Sequence, residues 1–218
     1  MVQALISLAL WAIPVILAIT LHEAAHGYVA RLFGDPTAHE AGRITLNPLR
    51  HIDKVGTLLV PGGIVLLNSI WGLQMPVFGW AKPVPVDFRR LRNPKADMLW
   101  VAAAGPGVNF LQAILWAFAA AFLAKAGFGN EAPWYVLAQY GILANLVLML
   151  VNLVPIPPLD GGRIVVSLLP IRQAIAFSRL EPYGFAILIV LLYFNILDKV
   201  LWAFLPPIYQ FLHLITGV

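Results

Sequence analysis

The stretch MVQALISLALWAIPVILAITLHEAAH, residues 1–26, decides how the chain is read. Residues 1–21 carry no charged side chain, and about 20 apolar residues suffice for a helix to cross the hydrocarbon core of a bilayer. His22, Glu23 and His26 follow at once. Ionisable side chains in a membrane segment are costly and by default mark function. A signal peptide is the competing reading of residues 1–20, but the run has no basic n-region and no convincing small-x-small cleavage site. Residues 1–21 therefore read as a retained membrane span continuous with the helix that carries HEAAH.

The rest of the 218-residue chain agrees with this reading. It is 61% hydrophobic and 11% charged with a mean hydropathy of +0.84, against about 45–50% apolar and 25% charged residues in soluble domains. Uncharged stretches recur at 1–21, 55–81, 98–124, 132–159 and 182–197. The expected fold is a multi-pass α-helical membrane protein with about four to six transmembrane helices, residues 1–218 forming a single membrane-embedded domain. The last stretch extends to about Phe204 if Asp198 and Lys199 lie at the interface, and Pro206 and Pro207 are expected to stop it.

Charge placement gives an expected topology. Twelve of the fourteen basic residues lie in Arg31–Lys54, Lys82–Lys95 and Arg163–Arg179, and the positive-inside rule puts all three on the cytoplasmic side of the cell membrane. The N-terminus is then outside. Stretches 98–124 and 132–159 pair as an out-and-back hairpin, but 55–81 alone would break the parity. Pro61, Gly62 and Gly63 interrupt 55–81 near its start, so a re-entrant or paired-short-helix hairpin is expected there. Such backbone must be buried in protein or line a wet cavity, which places it beside the site. GRITLNP at 42–48 and AKPVPVD at 81–87 read as short β or extended segments. The basic residues flank membrane segments and form no stripe with interleaved aromatics, so nucleic acid is not an expected partner.

The chemistry starts from spacing. On a helix, His22 and His26 leave the same face one turn apart, so both imidazoles can converge on one metal. Glu23 stands beside the first of them, able to reach water at that metal without ligating it. This is the HExxH arrangement of zinc metalloproteases, with glutamate as general base. The chain has no cysteine, so a third ligand must be a carboxylate or another histidine. Asp160 ends the uncharged stretch 132–159 inside NLVPIPPLDGGR, where Pro155, Pro157 and Pro158 free the backbone and Gly161 and Gly162 permit close approach. The competing reading is that Asp160 merely caps the helix that follows. Topology puts HEAAH and Asp160 at the same cytoplasmic level.

Other polar residues read more plainly. His39, His51 and His213 lack a partner at ligand spacing and are expected to be interfacial or solvated. Asp53, Asp87, Asp97 and Glu181 lie in charged loops. Asn145 and Asn152, seven apart, make one face of their helix polar and suggest interhelical hydrogen bonds. In AAAGPGVNF the small residues allow close helix approach, and Asn109 must find a partner in lipid.

HEAAH in the first segment, GPGVN at 105–109 and NLVPIPPLDGG at 152–162 together resemble the site-2 protease family of intramembrane zinc metalloproteases, peptidase M50. The resemblance covers most of the chain. It implies a three-helix core, one Zn2+ held by His22, His26 and Asp160, Glu23 as catalytic base, and transmembrane protein substrates cut within or near the bilayer. It makes Asn109 a candidate for substrate binding. Relatives often carry a PDZ or CBS domain, for which these 218 residues leave no room. The alternative is a divalent-metal transporter using the same ligands, in which a base beside a ligand has little purpose.

Overall fold

A computed structural model describes residues 2–72 and 79–217. The helices are α1 (Val2–Leu32), α2 (Thr37–Glu40), α3 (Val60–Trp71), α4 (Pro94–Lys125), α5 (Pro133–Asn152), α6 (Asp160–Leu168), α7 (Ile171–Ser178), α8 (Glu181–Tyr193) and α9 (Ile196–Thr216). Segments Ala9–Leu32, Lys54–Trp71, Pro94–Lys125 and Pro133–Asn152 are long and apolar enough to cross a membrane. A fifth arises if α7 and α8, bent by 63° at their junction, act as one span. The protein is a multi-pass helical membrane protein.

Helices α1, α4 and α5 pack mutually and form the centre, with α6 against α4 and α9 against α4 and α5. Alanines at 113, 117, 120 and 138 let α4 and α5 approach closely around Ile142 and Leu146; small residues serve this purpose where lipid removes the hydrophobic drive between helices. Ala18 and His22 of α1 reach Asn109, while His26 reaches Val101, so α1 and α4 run antiparallel. Gly141 of α5 lies against Trp116, and Asn145 bonds Asn109, so α5 runs antiparallel to α4 and parallel to α1. The ends of α1 and α5 therefore share a level.

The three basic segments meet at that end. Arg43 Nη2 donates to Lys82 O at 2.7 Å, Arg90 pairs with Glu40 at 3.2 Å, and Lys95 Nζ donates to Leu169 O. Asp35, fully buried, accepts from Thr37 N at 3.0 Å and Asp87 N at 2.7 Å, tying the exit of α1 to the 81–87 segment. The Asp87 carboxyl is itself held below its ordinary value, first by the Arg89 backbone N–H and then by the Arg89 and Arg90 guanidiniums.

Two expectations change, and a third lies partly outside the described residues. Pro206 and Pro207 do not stop the last helix: α9 runs through both to Thr216, with Leu205 and Leu212 buried in the core on either side. Tertiary packing holds a helix whose ladder lacks two donors. The break falls instead before Ile196, where Asn195 adopts φ 54°, a left-handed conformation that asparagine tolerates. Second, among the described residues no strand forms at 42–48 or 81–87. Pro83 and Pro85 lack N–H groups, and Lys82, Val84 and Asp87 donate theirs to His51 O, Glu23 and Asp35, so no ladder is available to pair. Third, within 55–81 a wide π-type turn over Lys54–Leu59 leads into α3; the turn back expected for a hairpin falls at 73–78, outside the described residues. Its ends do meet. Trp80 N donates to Gly56 O at 3.1 Å and Thr57 Oγ1 to Trp80 O at 2.8 Å.

Candidate metal centre

His22 and His26 sit in the last third of α1, both buried, with rings 4.7 Å apart and edge to face. Each is aimed by its Nδ1. The His22 Nδ1–H donates to Asn109 Oδ1 and the His26 Nδ1–H donates to Val101 O at 2.7 Å. Both partners are oxygen acceptors, so in the neutral rings the proton sits on Nδ1 and the lone pair on Nε2. The two Nε2 atoms then face each other at 3.1 Å.

Asp160 completes the group. It is the first residue of α6, no side chain caps that helix end, and its Oδ2 lies 3.1 Å from His22 Nε2 and 3.3 Å from His26 Nε2. That oxygen is buried and has no hydrogen-bond donor. Among the described residues these three form the cluster able to hold a metal ion. Three electron-rich atoms converging in a buried site repel one another unless a cation or proton lies between them. The separations suit a metal. Four ligands at about 2.0–2.1 Å in tetrahedral array stand about 3.3 Å apart, which matches the 3.1–3.3 Å edges measured here.

Backbone packing makes room for this convergence. A Cβ at Gly105 would stand 2.5 Å from His26 Nε2 and 2.6 Å from His22 Nε2. Gly105→Ala is therefore expected to push the imidazoles apart and empty the site while the helices persist. Metal analysis together with circular dichroism checks it: bound zinc close to wild type would refute the clearance argument. On the opposite wall, a Cβ at Gly161 would meet Leu153 O at 2.3 Å, and one at Gly162 would meet Pro157 N at 2.2 Å. The turn that delivers Asp160 is thus folded backbone against backbone.

Over 201 residues the chain is 37% identical to a Bacillus subtilis protein carrying the name "Putative zinc metalloprotease YwhC", covering 88% of this chain and 84% of the other. Residues 124–194 also match the sequence profile of "Peptidase family M50". The chain belongs to peptidase family M50. This M50 chain is 32% identical over 191 residues to the Mycolicibacterium smegmatis protein named "Putative zinc metalloprotease Rip2", covering 87% of this chain and 68% of that one. It is 29% identical over 163 residues to "Zinc metalloprotease MJ0392" of Methanocaldococcus jannaschii, spanning 73% of this chain and 35% of that protein. No solved structure matches it.

Glu23 of the M50 chain is half-buried, and its Oε2 accepts from Val84 N at 2.8 Å. Asn109 is fully buried; beyond the His22 contact, its Nδ2 donates to Asn145 Oδ1 at 2.9 Å and Ala18 O at 3.3 Å. The structure thus brings His22, His26, Asp160 and Asn109 together, with Glu23 one residue from His22.

Two polar residues, His51 and Asp97, differ from their sequence reading, whereas His39 and His213 agree with it. His51 is buried and bonds Thr45 O at 3.1 Å, and Asp97 is buried and accepts from Asn93 N at 2.7 Å at the start of α4. His39 is exposed beside Arg31, and His213 is exposed. The Asp97 bond was visible in principle, since Asn-Pro-x-x-Asp is a helix-start pattern. Val84 carried no such signal, because a backbone N–H leaves no trace in residue type.

Proposed function

We propose that this chain hydrolyses peptide bonds within or near transmembrane segments of membrane proteins, with one Zn2+ held by His22, His26 and Asp160. The observation that carries the reading is the trio of buried lone-pair atoms 3.1–3.3 Å apart with a carboxylate beside it in an M50 chain. Held by these three residues, zinc would supply Lewis acidity that lowers the pKa of a water and polarises the scissile carbonyl. Glu23 takes the proton of the attacking water and delivers it to the leaving amine. The Val84 N–H, donating to Glu23 Oε2 at 2.8 Å, orients the carboxylate. A metal-transporter reading finds no support in the family or in the pairing of ligands with an adjacent base.

Gly27 controls that tether. Its Cβ position lies 2.9 Å from Ala38 Cβ and 3.1 Å from Val84 Cγ1, so Gly27→Val drives Val84 away from Glu23. Hydrolysis is expected to fall about 100-fold, as a misplacement of about 1 Å can cost that much, with zinc content unchanged. Metal analysis beside an activity assay decides, and concurrent loss of zinc would point to His26 instead.

The 218 residues act as one membrane-embedded unit, with the N-terminus outside and the site toward the cytoplasm. The meeting of the three basic segments at the site's end of the bundle supports this orientation. Residues 55–81 form a re-entrant hairpin, a reading supported by the Gly56–Trp80 contact that returns the chain to its point of entry. The test of the function is purification in detergent, metal analysis and cleavage of a panel of transmembrane peptides. About one zinc per chain and cleavage lost on chelation and restored by zinc are expected. A metal-free protein, or cleavage indifferent to chelation, overturns the reading.

A further inference from the structure

Asn145 is fully buried in the middle of α5 and touches none of the three candidate ligands through the hydrogen bonds it makes. Its Nδ2 donates to Gly141 O at 2.9 Å. A carbonyl can only accept, so the Asn145 amide has one orientation, with Oδ1 turned to Asn109. Asn109 must then present its NH2 to Asn145, and the second acceptor it meets, Ala18 O at 3.3 Å, asks for the same. Its Oδ1 is left facing His22 Nδ1. The imidazole proton follows to Nδ1, and the lone pair goes to Nε2, toward Asp160 and His26.

We propose that Asn145 is a positioning residue that sets the tautomer of His22 from a third helix. It acts through Asn109. The inference rests on the zinc-site reading, since it concerns which nitrogen of His22 is open to the metal. An interhelical hydrogen bond between membrane helices contributes only modestly to stability, too little to explain two fully buried asparagines by stability alone. Orientation is the larger effect: losing an outer partner of a metal-binding histidine weakens binding about 10–100-fold.

Two variants and one spectrum test it on the full chain in detergent. Asn145→Leu fills the volume without an acceptor, whereas Asn145→Asp keeps an oxygen facing Asn109 Nδ2. Zinc affinity is read by competition with a chelator, and the His22 tautomer from imidazole 15N shifts of the metal-free protein. Expected are a 10–100-fold loss of zinc affinity in Asn145→Leu with an Nε2–H population at His22, near-wild-type affinity in Asn145→Asp, and Nδ1–H in the wild type. Unchanged affinity and tautomer in Asn145→Leu overturn the proposal. So does an Nε2–H tautomer at His22 of the metal-free wild type, which needs no variant to fold. A wild type that binds no zinc overturns the function instead, and the tautomer measurement still judges Asn145.

Discussion

Glu23→Gln is expected to lower peptide hydrolysis by about 10²–10⁴-fold, the usual contribution of a positioned general base, while zinc content stays at the wild-type level. Glutamine retains an oxygen that accepts from Val84 N, now 2.8 Å from Glu23 Oε2, so the side chain keeps its tether. What it loses is the ability to take a proton. The three candidate ligands are untouched, because Glu23 is not among the atoms that converge at His22, His26 and Asp160. Parallel metal analysis and cleavage of a transmembrane peptide check this. Wild-type activity in Glu23→Gln would sink the base assignment, and loss of zinc would make Glu23 part of the metal site.

Asp160→Ala should act in the opposite order, with metal lost first and activity lost in consequence. Removing an outer partner weakens a metal site about 10–100-fold, and removing a ligand outright is expected to exceed that. The same change should stabilise the metal-free protein. Asp160 Oδ2 is a buried oxygen without a donor, and such an atom costs about 1–3 kcal/mol or more when charged. Thermal unfolding with and without zinc separates the two effects. The wild type should gain stability with added zinc, since a ligand that binds the folded state stabilises it, whereas Asp160→Ala should start higher and gain little. A zinc-dependent shift equal to that of the wild type would remove Asp160 from the ligand set.

Much of this architecture was legible because membrane helices announce themselves by length. The uncharged stretch 98–124 lies within α4 (Pro94–Lys125), the stretch 132–159 contains α5 (Pro133–Asn152) and the turn after it, and HEAAH lies on α1 as its spacing required. Asp160 was legible through its neighbours, since the prolines and glycines of NLVPIPPLDGG describe a turn that brings chain into close contact. The interhelical bond expected of Asn145 formed, while Asn152 bonds the Leu148 carbonyl of its own helix instead.

What stayed hidden depends on tertiary contact. Nothing local to Pro206 and Pro207 tells that Leu205 and Leu212 are gripped by α4 and α5 firmly enough to carry the helix onward. The burial of His51 follows from its packing beside Thr45 and from Lys82, whose N–H donates to His51 O from 31 residues further along the chain. Asn109 illustrates both sides. Its need for a partner was readable from lipid physics, but the partner's identity, a histidine on α1 aimed by an asparagine on α5, required the assembled bundle.

The glycine contacts described above reach beyond the centre they shape. Gly105 clears the imidazoles, Gly161 and Gly162 close the turn, and Gly184 of α8 sits where a Cβ would fall 1.7 Å from Pro157 O. None of the four offers a functional group, yet each leaves no space for a single methyl. A methyl group added at any of these silent positions would have to displace backbone or a candidate ligand. Through Gly184, α8 is seated on the turn that carries Asp160, 24 residues earlier, so a change in α8 reaches the candidate centre by backbone contact alone.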